Sequence, residues 1–185
     1  MSLAGKSRDL RTESLLLRAM VIEDTAAMYE IYSDEETMRY WACAPLEDLA
    51  AAEKFVREDI DWAERGEAIN WTITVGDTDR AIGKCILLRY SESNRRAEVG
   101  YILHRDFWRK GLMFEAMSAV VDFAFNELGL HRLEADTDPC NAGSLGLLEK
   151  LGFQREGLFR DRWQVAGEWQ VSIMLGLLST DWKAD

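Results

Sequence analysis

Between positions 111 and 128 the apolar residues Met113, Met117, Val120, Val121, Ala124 and Leu128 recur every three or four places, the period of one helix face. Gly129 supplies the stop, because glycine enters the left-handed region without steric cost. A helix with one apolar stripe is stable only when that stripe is covered, so a sheet or a second helix must lie against it. The run 97–103 (AEVGYIL) predicts a strand that enters this helix through the polar turn 104–111.

The same reading orders the rest of the chain. Residues 14–20 (SLLLRAM) suit a short strand, and Glu23, Asp24 and Thr25 offer acidic and capping groups to a helix with Met28, Ile31 and Tyr32 on one face. A loop with Trp41 and Pro45 leads to a helix over 46–65 that carries Leu49, Ala52, Phe55, Val56, Ile60 and Trp62 and stops at Gly66. Residues 69–75 alternate and are rich in β-branched side chains. With the turn 76–79 and the run 81–90 they predict a hairpin, which 97–103 extends into an antiparallel meander. After the long helix come a strand over 132–137, a helix over 141–151 ended by Gly152, and two strands around Ala166-Gly167. This is a mixed α/β order, one domain expected over 9–182, with 1–8 set aside as a flexible N-terminal stretch.

Composition narrows the function classes. A chain of 185 residues suits one core. Its formal net charge of -11 disfavours direct nucleic-acid binding and favours cationic partners such as amines, although excess carboxylate also serves solubility alone. Cys43, Cys85 and Cys140 show no metal-ligand pairing and no even disulfide framework, which fits a reducing cytoplasm. No apolar run approaches the roughly twenty residues of a membrane span, and the N-terminus lacks a signal peptide's apolar core, so neither membrane nor export is expected.

The turn Asp106-Phe107-Trp108-Arg109-Lys110-Gly111-Leu112-Met113 precedes a helix N-terminus, where backbone N–H groups lack partners and the helix dipole is positive. Gly111 permits close backbone approach to a phosphate, and Arg109 and Lys110 add positive charge. A plain polar turn carries the same residues, and spacing alone does not separate the two. Gly5-Lys6-Ser7 is no P-loop, because the earlier glycine would fall before the first residue. His104-Arg105-Asp106 is no kinase loop, because Gly111 stands where its asparagine belongs.

Three joined motifs carry a resemblance: Ala97-Glu98-Val99-Gly100-Tyr101, then 107–116 (FWRKGLMFEA), then Asn141-Ala142-Gly143-Ser144 followed by Leu148-Glu149-Lys150-Leu151-Gly152-Phe153. They resemble the GNAT acyl-CoA N-acyltransferase superfamily over nearly the whole chain, in particular its ribosomal-protein alanine/serine N-acetyltransferase-like (Rim-type) branch. The resemblance implies a single-domain α/β fold: a mostly antiparallel sheet with helices on both faces and a splayed strand pair holding acetyl-CoA. It implies a pyrophosphate held by backbone N–H groups of Arg109, Lys110, Gly111, Leu112 and Met113, beside Trp108, with pantetheine along Ile102 and Leu103. The family usually has Ala or Gly at the last loop position. Met113 is accommodated there if its side chain turns into the sheet, since the phosphate contact is made by backbone.

The implied reaction moves acetyl from acetyl-CoA to a primary amine by direct attack in a ternary complex, with no metal. The acceptor is a protein N-terminal α-amine or a small molecule, and a second copy of the chain is a compatible partner. A non-catalytic acyl-CoA-binding regulator is the rival reading. Such transfer needs a proton acceptor for the amine and a donor for the departing thiolate. Glu98, where the family commonly carries a glutamate, is the candidate proton acceptor or substrate-orienting group, or else a surface or cross-strand carboxylate. Ser144 is the candidate donor, or else a helix-start serine; the tyrosine many relatives carry four residues later is Leu148 here. Asn141 can bond pantetheine and cap the helix. Cys140 reads as a small packing residue with no acyl-carrying role, His131 and His104 as structural or exposed, and Trp41, Trp62, Trp71, Trp163 and Trp169 as core or cleft walls. An acid expected after Glu156-Gly157 is absent, with Trp163 and Gln164 near that place, and Val171 stands near the usual final aspartate.

Overall fold

The stripe of the long helix is covered by a sheet. The computed structural model describes residues 3–76 and 78–183. In chain order its elements are β1 (Leu10–Arg11), β2 (Leu15–Ala19), α1 (Thr25–Tyr32), α2 (Glu35–Met38), α3 (Leu49–Glu64), β3 (Ile69–Val75), β4 (Ala81–Ser91), β5 (Arg96–Leu103), α4 (Leu112–Asp122), β6 (Arg132–Thr137), α5 (Ala142–Lys150), β7 (Gln154–Val165) and β8 (Glu168–Leu178). The strands form one sheet in the order β1-β2-β3-β4-β5-β6-β8-β7. Neighbours are antiparallel except β5 and β6, which run parallel.

Strand alternation divides the core into two layers. Trp71, Leu87, Val99 and Leu133 face α4 and α5, where they meet Met117, Val120, Leu145 and Leu148. Met20, Ala81 and Ile102 face the other way and pack with Met28, Ile31, Tyr32 and Val56 of α1 and α3. Each fully buried Met, Leu or Val contributes about 1.5–3 kcal/mol, so α4 is held by its stripe rather than by propensity. Glu115 on its outer turn accepts hydrogen bonds from Thr12 Oγ1 (2.5 Å) and the Ser14 N–H (2.7 Å), which ties α4 to the β1–β2 turn.

Several boundaries differ from the sequence reading for local reasons. The helix expected from 46 starts at Leu49, because the Asp48 carboxylate accepts the Ala51 N–H as a cap. The helix expected to 128 is regular only to Asp122. Phe123–Glu127 widens into a π-turn closed by Leu128 N–H to Phe123 O. Within the stretch set aside ahead of residue 9, Leu3 is 2% exposed and its N–H donates to Gly66 O, so Leu3 packs with the core. Met1, Ser2 and Asp77 lie outside the described residues. Among the described residues no helix is long and apolar enough to cross a membrane.

The feature that positions a site is the parallel pair. β5 and β6 register at only three positions, Arg96 with Arg132, Ala97 with Leu133 and Glu98 with Glu134, and beyond Glu98 they part. On the other side of this short pairing β4 bulges between Leu88, opposite Glu98, and Ser91, opposite Arg96, with Arg89 at φ 52°; a bulge of this kind bends and twists its strand. Because β5 and β6 point the same way, the helices that follow them begin at the same edge, and the N-termini of α4 and α5 flank the gap.

The free end of β5 is held to β4 at Gly83, opposite Leu103. A Cβ at Gly83 would stand 2.5 Å from Ile102 O and 3.2 Å from Leu103 Cα. Backbone must move to admit it. Gly83→Ala is expected to lose about 1–3 kcal/mol of stability, read as a lower urea midpoint at unchanged slope; an unchanged midpoint would show that β5 is not fixed there.

Candidate active site

The gap between β5 and β6 opens into a cleft of about 480 Å³, within the roughly 300–1,000 Å³ typical of ligand sites. Its walls include Glu98, Gly100 and Ile102 and also Val99 and Tyr101. Alternate residues of a paired strand face opposite sides of a sheet, so one cleft touches both sets only where the strand edge is open. The cleft therefore passes through the sheet, from the α1–α3 side to the α4–α5 side.

At the end of β5 the turn enters α4 through two left-handed residues, Arg109 (φ 59°) and Gly111 (φ 79°). The first helical hydrogen bond is Glu115 N–H to Gly111 O. Ahead of it the N–H groups from Arg109 to Phe114 meet no acceptor among the described residues, as an anion cradle requires. Met113 packs against the core with Leu112 and Phe114, so its bulk lies away from these N–H groups. Trp108 is a strut: its indole N–H donates to Leu103 O at 2.7 Å and ties the turn to the strand end. Lys110 rests over the Phe107 ring, 5.2 Å from its centre. Ile102 lines the cleft, whereas Leu103 is buried in the α4 layer.

At the end of β6, Asn141 Oδ1 accepts the Ser144 N–H at 3.0 Å and caps α5. One half of the amide serves the helix while its NH₂ is left for a ligand. Ser144 lines the cleft, and its Oγ lies 2.7 Å from Tyr101 Oη. Burial pushes the Tyr101 phenol well above the ordinary tyrosine value, against the opposing bond from Ser144, so it stays protonated. Leu148 is buried in the α4 layer, and Cys140 is exposed.

On the opposite face Glu98, 14% exposed, is paired with Arg89 at 2.7 Å. Burial raises its carboxyl above the usual range, the Arg89 guanidinium opposes this, and Asp136 adds to the rise. Asp136, 7% exposed, is held by Arg162 Nε (3.1 Å) and Trp163 Nε1 (3.2 Å). Below them Lys84 and Asp59 form a fully buried ion pair on the cleft floor. Burial pushes the Lys84 amine down and the Asp59 carboxyl up, each restrained by the other's charge. Tyr32, Trp41 and Phe55 wall this end, and the Tyr32 ring centre lies 4.5 Å from that of Phe55. Among the described residues no group of three or more His, Cys, Asp or Glu converges as a metal site.

The structure thus brings Glu98, Ile102, Asn141 and Ser144 to one cleft, with the 109–113 turn following the free end of β5. Sequence reasoning missed Asp136 and Tyr101. The charged alternation Arg132, Glu134, Asp136 along β6 was a signal for the first, because it marks a strand face that apolar packing does not cover.

Arg89, hydrogen-bonded to Glu98, is the larger of the two guanidinium influences that lower its carboxyl against burial, Arg162 being the other. Arg89→Ala is therefore expected to raise the Glu98 titration midpoint further, followed by ¹³C NMR of the side-chain carboxyl. A fall in that midpoint would mean that Arg89 is not its counter-ion.

Residues 14–154 match the acetyltransferase (GNAT) domain family. The protein named uncharacterized N-acetyltransferase p20 of Bacillus licheniformis is 36% identical over 173 residues, 94% of this chain and 97% of that one. The ribosomal protein uS5-alanine N-acetyltransferase of Escherichia coli is 34% identical over 84 residues, 45% of this chain and 43% of that one. The fold is shared with Mycobacterium smegmatis RimJ in complex with CoA-disulfide, at a TM-score of 0.80 and 21% identity, covering 94% of this chain and 87% of that one. A parallel strand pair that splays between two helix N-termini, together with the match over most of the chain, gives the conclusion: the chain belongs to the GNAT family of acyl-CoA-dependent N-acetyltransferases.

Proposed function

We propose that the chain transfers acetyl from acetyl-CoA to a primary amine by direct attack within a ternary complex, with the donor on the α4–α5 side of the gap and the acceptor on the α1–α3 side. One observation carries this reading: a single cleft crosses the sheet, with the Glu98 carboxylate on one face and the Ser144 hydroxyl on the other. Backbone N–H groups from Arg109 to Met113 hold the pyrophosphate, and the Asn141 NH₂ and the open edge of β5 hold pantetheine. The neutral amine attacks the thioester carbon, and Glu98 takes the surplus proton from the tetrahedral nitrogen. The C–S bond then breaks with its electron pair on sulfur, and Ser144 supplies the proton for the thiol. Solvent returns one proton to the other, and nothing else is consumed.

The cleft lining carries Glu58, Asp59, Glu98, Asp136 and Asp138 against Arg39, Lys84 and Arg89, with Arg162 paired to Asp136 beside it, which leaves a small excess of carboxylate that suits an ammonium. Aromatic walls at Tyr32, Trp41, Phe55 and Trp163 add apolar surface beside it. A protein N-terminal α-amine is the acceptor we favour, in line with the uS5-alanine enzyme among the relatives. A small amine is the second form.

Ser144→Ala is expected to lower kcat about a hundredfold with little change in KM for acetyl-CoA, measured by thiol release across peptide and small amines. An unchanged rate removes Ser144 from the chemistry, and tight acetyl-CoA binding without thiol release on any amine would point to the non-catalytic regulator. For the cradle, the added Cβ at Gly111 meets nothing within 4 Å, so a substitution there acts through φ and not through a clash. Calorimetric titration with CoA should therefore find Gly111→Val more damaging than Arg109→Ala; the reverse order would assign the affinity to side-chain charge.

A further inference from the structure

Tyr101 stands three positions past Glu98 on β5, beyond the last residue paired with β6 and on the opposite face of the sheet. Its ring packs against the α4 layer, and its hydroxyl borders the cleft beside α5. The Oη to Ser144 Oγ distance of 2.7 Å is that of a well-formed O–H···O hydrogen bond. A second, longer approach of 3.4 Å links Oη to the Ser144 carbonyl. Apart from Ser144, no hydrogen-bond partner for this phenol exists among the described residues.

Two hydroxyls joined by one hydrogen bond hold two protons, of which one lies between them and the other is free. When the phenol donates, the free proton is that of Ser144, and the serine oxygen is stabilised as it loses it. A serine with no such donor is a poor acid, because its alkoxide is left unsupported in a partly buried site. From the geometry we infer that Tyr101 is a positioning residue for thiol protonation: it donates into Ser144 Oγ, aims the Ser144 O–H at the departing sulfur, and holds the developing alkoxide. Tyr101 keeps its own proton throughout, so the balance of the transfer is unchanged. The inference rests on the reading of Ser144 as the acid.

The test is a double-mutant cycle on the full chain with acetyl-CoA and an accepted amine. Tyr101→Phe keeps the ring and removes the hydroxyl. The expected result is a kcat about five- to tenfold lower at nearly unchanged KM for acetyl-CoA, with the double variant Tyr101→Phe/Ser144→Ala no slower than Ser144→Ala alone. A double variant slower by the product of the two single effects would overturn the inference, as would an unchanged Tyr101→Phe. An unchanged Ser144→Ala with a slow Tyr101→Phe would instead overturn the serine reading and leave the phenol as a separate acid. If Tyr101→Phe does not fold, 3,5-difluorotyrosine at 101 preserves shape and lowers the phenol pKa. The alkaline fall of kcat should then move to lower pH, and an unmoved profile would overturn the inference.

Discussion

The short parallel pairing of β5 and β6 is the constraint on which the site depends. Three registered positions hold the two strands side by side, and the bulge in β4 lies opposite that short pairing. Parallel strands cannot be joined by a tight turn, so α4 must cross over between them, and that crossover delivers its N-terminus to the gap. The same geometry sends β6 into α5 at the same edge. Had the pairing run on for the length of both strands, Val99 and Tyr101 would be sealed from the face of Glu98 and no cleft could cross the sheet.

The opening also lets environments differ sharply over a short length of chain. Glu98 lies on the charged face with Arg89 and Asp136, while Tyr101 lies on the apolar face, where Ser144 meets its hydroxyl. Burial acts on both and raises both, which favours a carboxyl poised to take a proton and a phenol that keeps its own. Side chains that an unbroken sheet would hold apart thereby line one cleft.

What the sequence discloses is mostly local. The strand over 132–137, the cap at Asn141 and the left-handed turn at Gly111 all follow from residues within a few positions of one another. The four-residue α2 is too short to display a period, and the π-turn after Asp122 preserves the apolar stripe while changing the hydrogen bonds beneath it. Leu3 shows nothing in its neighbours that predicts burial, since its partner is Gly66. The lining of the candidate cleft was legible where a motif marked it, at Glu98, Asn141 and Ser144. Asp136 and Tyr101 escaped because their importance comes from the register and splay of strands far apart in sequence, and alternation alone files Tyr101 with the core.

The Lys84–Asp59 pair leaves the helices on the two faces of the sheet with unequal grip. α4 buries Ala116, Met117, Val120 and Val121, whereas α3 buries only Ala52, Val56 and Asp59. Water cannot replace the apolar contacts of α4, but it rehydrates a separated ammonium and carboxylate and returns much of what their burial withheld. By this measure α3 is the less firmly held of the two, and its detachment is the less costly opening of the molecule.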